Sequence, residues 1–204
     1  MALKHSYTLL APFYDSLVSG PIDAYRQISL SRIKDINNKN ILINGIGSGL
    51  DIPYLPEGAC YTGTDITPAM LERAKKRAHN HSIDNVINIK FQLADSQALP
   101  FEDNSFDAVV MHLILAVVPK PERALKEACR VLKPGGSIYI FDKFIRTGQL
   151  ALVRRLINIF LRHIATRTDV IFEEALSSCP QLKVIHDKPA LAKGWFRLIE
   201  LEKT

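Results

Sequence analysis

At 204 residues, 47% hydrophobic and 23% charged, the chain is long enough to bury one sizeable core and short for two domains. Its formal charge of +5 leaves room for an anionic partner, whether substrate, lipid surface or nucleic acid, although spread over a whole domain that excess is mild. No stretch approaches the roughly 20 apolar residues that span a bilayer, and Cys60, Cys129 and Cys179 lie too far apart for a disulfide framework or a zinc site, which points to buried thiols in a reducing cytosol.

The first thirty-odd residues read as helical. The apolar run from Tyr7 to Phe13 is interrupted by Pro12 and closed by Asp15, so it lacks the length of a secretory signal. From residue 40 to 142 short apolar runs alternate with helical patterns, the signature of βα units in a parallel sheet. Strands are expected at 40–44, 60–64, 87–93, 107–112 and 136–142. Between them, "TPAMLERAKKRAHN" offers Thr67 as an N-cap and places Met70, Leu71, Ala74 and Ala78 on one face. The next helix opens with Pro121, buries Leu125, Ala128, Val131 and Leu132, and stops at Pro134-Gly135-Gly136. In "GQLALVRRLINIFLRHIATR", Leu150, Val153, Ile157, Phe160, Leu161 and Ile164 share one arc of a helix, with Arg154, Arg155 and Arg162 beyond it. Such a segment either covers the sheet or meets anionic lipid through 148–165. "GWFRLIELEK" reads as a final strand. No repeat or low-complexity linker marks a boundary, so one domain over 1–204 is expected: a helical cap at 1–38, a core at 39–142 and a tail at 143–204.

"ILINGIGSG", residues 41–49, is a strand running into glycines at alternate positions. A phosphate-binding loop needs a lysine directly after its last glycine, and none follows Gly49 until Lys75. In the dinucleotide fingerprint the third glycine stands one place later, where this chain has Leu50, and Pro53 and Pro56 interrupt the helix that would cradle a pyrophosphate. What remains is an adenosine ligand without a pyrophosphate. Asp65, at the end of the next predicted strand, is placed to accept both ribose hydroxyls.

Taken in order, "NGIGSGLD", "YTGTDITPAMLERAKKRA", "LADSQALPFEDNSFDAVV" and "ALKEACRVLKPGGSIYI" resemble the class I S-adenosylmethionine-dependent methyltransferases. The resemblance covers residues 40–142. It implies an α/β, doubly wound, mostly parallel seven-stranded sheet with helices on both faces and a last antiparallel strand. It implies S-adenosyl-L-methionine as cofactor and S-adenosyl-L-homocysteine as product. It also implies roles: Gly45, Gly47 and Gly49 against the methionine moiety, Asp65 on the ribose, Ile66 and Met70 beside the adenine, Asp95 with Ser96 near the adenine amino group, and His112 facing the cofactor. The bland alternative for His112 is a strand-end hydrogen-bonder. A narrower likeness, in "LLAPFYDSLVSGP", "GSGLDIPYLP" and "LILAVVPKPERAL", is to the soluble-type bacterial phosphatidylethanolamine N-methyltransferases.

Methyl transfer from a sulfonium is an in-line displacement, so the protein mainly aligns the nucleophile and excludes water. An amine acceptor must attack neutral, which needs a polar group to take its proton. Tyr14 and His112 are the candidates for catalysis; Tyr14, Asp142, Lys143 and Arg146 are candidates for holding a substrate, Lys143 or Arg146 meeting a headgroup phosphate. The acceptor expected is the amine of a phospholipid headgroup. A soluble metabolite or quinone precursor is the alternative, and from another class a catalytically silent cofactor-binding module. No Asn/Asp-Pro-Pro-aromatic tetrapeptide follows the fourth strand, so no nucleic acid is expected. No metal is expected either, His79-Asn80-His81 reading as a helix end. The location expected is cytoplasmic, peripheral at the inner membrane face. In the family an acid usually stands two residues before the first glycine; here it is Ile43. Neighbouring strand residues point to opposite faces, so Asn44 does not replace it. Asp51 either supplies a carboxylate for the methionine ammonium or is a helix-start acid.

Overall fold

The computed structural model describes residues 20–81, 87–144 and 170–204. Residues 20–30 are helical (α1). There follow β1 (Asn40–Asn44), a 3₁₀ turn (Ile52–Tyr54), β2 (Cys60–Asp65), α2 (Pro68–His81), β3 (Asn88–Leu93), β4 (Phe106–His112), α3 (Pro121–Val131), β5 (Leu132–Lys143), α4 (Phe172–Ser177), β6 (Leu182–Pro189) and β7 (Phe196–Lys203). One sheet orders these strands β3-β2-β1-β4-β5-β7-β6. β1 to β5 run parallel, and β7 is inserted antiparallel between β5 and β6, as the resemblance implies.

The central strands read as nearly continuous apolar runs because both faces are covered. On one face Leu42, Val109, Met111, Ile138 and Ile140 pack on the Leu125, Ala128 and Val131 side of α3. On the other, Ile41, Ile43 and Val110 pack on Leu30 of α1, Ile33 just beyond it, and Leu71, Ala74 and Ala78 of α2. Met70 itself is only half-buried. Ile22, Phe141 and Leu198 form a third, smaller cluster. Thr67 stands at the N-cap position, its carbonyl accepting from Leu71 N at 3.3 Å while its own amide turns back to Asp65.

The structure corrects two expectations. Leu132 is buried but belongs to β5, since α3 ends at Val131. β5 begins there because Lys133 to Gly136 are absorbed as an irregularity between the pairs Phe106–Leu132 and Ala108–Ser137. Gly135 takes a φ of 75° to make that detour, and a Cβ on Gly136 would stand 2.8 Å from the Asp107 carbonyl. The cysteines are free thiols as expected, but Cys60 is exposed rather than buried. Tyr14, Arg146 and the 148–165 segment lie outside the described residues. Among those described, no helix is long and apolar enough to cross a membrane and no side-chain cluster suits a metal ion.

Candidate active site

Strand order reverses between β1 and β4, and in open α/β sheets a ligand crevice forms at the carboxyl ends of the strands at such a reversal. The turn leaving β1 there carries Gly45, Gly47 and Gly49 at φ values of 79°, 56° and 83°, a region that L side chains avoid. The three glycines do different work. A Cβ on Gly45 would meet Ile114 Cδ1 at 2.5 Å, and one on Gly49 would meet the Ala74 backbone at 3.0 Å, so both are required by packing. A Cβ on Gly47 would meet nothing within 4 Å. That open cradle, where only hydrogen covers the backbone, suits the close approach of a ligand. Pro53 and Pro56 do cut the following helix short, to a single 3₁₀ turn.

The turn is tied sideways to β2. Gly45 N and Ile46 N both donate to the Thr64 carbonyl, at 3.0 and 2.7 Å. Asp65 at the end of β2 accepts from Gly47 N through Oδ2 at 3.0 Å and from Thr67 N through Oδ1 at 2.8 Å. Burial raises its pKa, and those N–H bonds oppose the rise. Beside it Ile66 is 48% exposed. Asp95 accepts from Gln97 N at 2.9 Å and from Gln97 Nε2 at 3.1 Å through Oδ1, which closes a local turn with Ser96 buried inside it. Thus the turn of Gly45, Gly47 and Gly49 meets Asp65 at the end of β2, Ile66 and Met70 follow Asp65 into α2, and Asp95 with Ser96 lies past the end of neighbouring β3.

Asp51 and His112 come together in a buried network. His112, at the end of β4, donates from Nδ1 to Asp51 Oδ1 at 2.8 Å; its Nε2 lies 2.9 Å from Ser29 Oγ. Arg26 donates from Nη1 to the same Asp51 oxygen at 2.7 Å. All four residues are buried. Burial opposes ionisation of Asp51, but the His112 ring and the Arg26 guanidinium outweigh it and hold the carboxyl well below its usual range. An ionised carboxylate only accepts, which assigns the Nδ1 proton to His112. Asp51 heads the 3₁₀ turn but makes no side-chain capping bond there; its Oδ1 goes to Arg26 and His112 instead. Arg26 and Ser29 went unnoticed in the sequence. The signal was available, because Ile22, Arg26, Ser29, Leu30 and Ile33 recur at helical spacing, which puts two polar residues on an apolar stripe.

Asp142 is fully buried and spends Oδ1 on Lys143 N at 2.7 Å and Oδ2 on Ala116 N at 3.1 Å. It thereby pins the loop after β4, whose Ile114 covers Gly45. Burial pushes its pKa up to about 6, against those bonds and the Lys143 charge. Burial conversely lowers the pKa of Lys143, opposed by Asp142. Ile43 is packed in the core, and Asn44 Nδ2 is buried with no partner among the described residues.

The sequence profile described as a methyltransferase domain matches residues 42–140. A phosphatidylethanolamine N-methyltransferase of Cereibacter sphaeroides is 30% identical over 164 residues, which cover 80% of this chain and 79% of that protein. A ubiquinone/menaquinone biosynthesis C-methyltransferase of Geotalea daltonii is 31% identical over 166 residues, 78% of this chain and 69% of that one. Among solved structures, the 4+2 cyclase SpnF superposes with a TM-score of 0.78 at 17% identity over 98% of this chain and 94% of its own. A geranyl diphosphate methyltransferase solved with SAM gives 0.74 at 16%, over 89% and 85%. At such identities these two establish the fold alone.

The glycines separate experimentally. Gly47→Ala should cost about 1 kcal/mol of stability from its left-handed φ yet weaken binding of S-adenosyl-L-homocysteine about ten-fold or more. Gly49→Ala should cost about 2–4 kcal/mol, because the Ala74 backbone must also move. Chemical denaturation and calorimetry read both. For Asp142 the folded pKa lies above the ordinary value of 3.8, so the fold favours the neutral carboxyl. Its contribution is complete below pH ~4 and is lost as pH rises through ~6. Wild-type stability relative to Asp142→Asn should accordingly fall by about 2–3 kcal/mol over that window, measured by urea denaturation at both ends.

Proposed function

The chain belongs to the class I S-adenosylmethionine-dependent methyltransferases, and on that footing we propose that it methylates the amine of a phospholipid headgroup. The observation that carries the acceptor is the 30% identity to a phosphatidylethanolamine N-methyltransferase over 79% of that protein. The basic amphipathic pattern of 148–165 and the net charge of +5 agree with an anionic surface. A quinone precursor is the second reading, carried by the similarity to the C-methyltransferase of Geotalea daltonii over 69% of its length. Under either reading the chain works as one domain, with 1–38 as its cap and 143–204 completing the sheet, and acts in the cytoplasm, peripheral at the inner membrane face.

The open cradle at Gly47 and the half-buried acid of β2 fit S-adenosyl-L-methionine. Gly45, Gly47 and Gly49 would receive its methionine part, Asp65 its ribose, Ile66 and Met70 its adenine, and Asp95 with Ser96 the adenine amino group. Asp51 would face its ammonium. The bound cofactor supplies an electrophilic methyl on a sulfonium; S-adenosyl-L-homocysteine is what remains. The chain's own task is to exclude water, align the acceptor and receive its proton. His112, at the end of β4, would face that site, with Tyr14 and Arg146 as further candidates. Lys143 or Arg146 would meet a headgroup phosphate.

The test is label transfer from methyl-labelled S-adenosyl-L-methionine to phosphatidylethanolamine vesicles and, separately, to a quinone precursor. Label in the phospholipid supports the first reading and label only in the quinone the second; none in either removes both. Asp65→Ala should lower cofactor affinity by about ten-fold or more, since each charge-assisted bond lost is worth roughly 1.5–3 kcal/mol.

A further inference from the structure

We propose that Arg26 and Ser29, on the helix that precedes the matched domain, are positioning residues that set Asp51 and His112 for cofactor binding and transfer. The inference rests on the reading that Asp51 and His112 face the cofactor. Arg26 and His112 both bond Asp51 through Oδ1, at 2.7 and 2.8 Å. The carboxylate is thus anchored by one oxygen, which orients Oδ2 as the one to meet a cationic ligand group. Without Arg26 the anion would sit nearly buried with only an imidazole beside it, and its position would no longer be fixed. Arg26 is itself steadied by Asp23, 3.8 Å from its Nε on the same helix.

Ser29 acts on the other partner. In the neutral ring, with the Nδ1 proton committed to Asp51, Nε2 is the acceptor for the Ser29 hydroxyl 2.9 Å away. Two hydrogen bonds on opposite sides of one ring fix its tautomer and its plane, while Phe141 meets it in a T-shaped contact with centroids 6.0 Å apart. The family's profile begins at residue 42, so these two residues lie outside the part of the chain that carries its shared motifs. They give α1 a direct hold on the site: helix and glycine turn are fastened through one carboxylate.

The experiment is a binding cycle with S-adenosyl-L-homocysteine, read by calorimetry on Arg26→Ala, Asp51→Asn and the double variant, with Arg26→Lys as the conservative partner. If Arg26 acts through Asp51, Arg26→Ala weakens binding about ten-fold, Arg26→Lys recovers part of the loss, and the double variant binds no worse than Asp51→Asn alone. Should Arg26→Ala fail to fold, the comparison of Arg26→Lys with wild type carries the test. Wild-type affinity in Arg26→Ala or Arg26→Lys with weakened Asp51→Asn overturns this inference and leaves the role of Asp51 standing. Wild-type affinity in Asp51→Asn overturns that role and the inference together. For Ser29, ¹⁵N spectra of the imidazoles, assigned with His112→Gln, should show a single Nδ1–H tautomer in the wild type and a mixture in Ser29→Ala. An unchanged His112 signal in Ser29→Ala overturns the part assigned to Ser29.

Discussion

A carboxylate buried at the rim of the sheet has to be compensated, and much of the site follows from how Asp51 is. A lone buried anion costs several kcal/mol, which only close partners can offset. Asp51 draws one partner from α1 and another from the end of β4, so three segments distant in sequence converge on a single oxygen. Ile43, two residues before the first glycine, lies in the core beside Leu30 and Ile33. A charge there would have no counterion from β1. The chain instead carries its negative charge in on the turn, past the last glycine.

The rest of the rim is built in the same economical way from backbone groups. Gly47 N and Thr67 N fix Asp65, Gln97 N fixes Asp95, and Asp142 holds the Ala116 and Lys143 amides. Each acid at a strand end therefore orders the loop beside it before any ligand arrives. Preorganisation of this kind suits methyl transfer, which asks for alignment and dryness more than for acid–base groups. Gly45 and Gly49 let Ile114 and α2 close against the turn, and only Gly47 leaves its backbone open.

Much of this was legible in the sequence, for physical reasons that differ by element. The parallel strands were visible because strands buried on both faces must be apolar throughout, as in "NILIN" and "FDAVVMH". The proline-shortened turn after Gly49 followed from the missing N–H of Pro53 and Pro56. Leu132 was misplaced because an apolar residue after a helix continues its period whether or not the backbone has turned extended; the detour at Gly135 and Gly136 decides that, and it depends on the Asp107 carbonyl across the sheet. Asp142 reads in sequence as a free acid at a strand end, and only the fold reveals that backbone amides use both its oxygens. The Arg26, Ser29, Asp51 and His112 network was illegible as a unit because its bonded partners are up to 83 residues apart, even though each polar residue on the α1 stripe was in plain view.

The central claim is that the turn at Gly47, with Asp65 and Asp51 beside it, holds an adenosyl ligand. Titration of ¹⁵N-labelled protein with S-adenosyl-L-homocysteine tests it most directly. The account predicts saturable amide shifts centred on Gly45 to Asp51 and on Asp65 to Thr67, reaching Arg26 and Ser29 through Asp51. Saturable binding with its shifts elsewhere, or no saturable shift at Gly47 and Asp65, would contradict it.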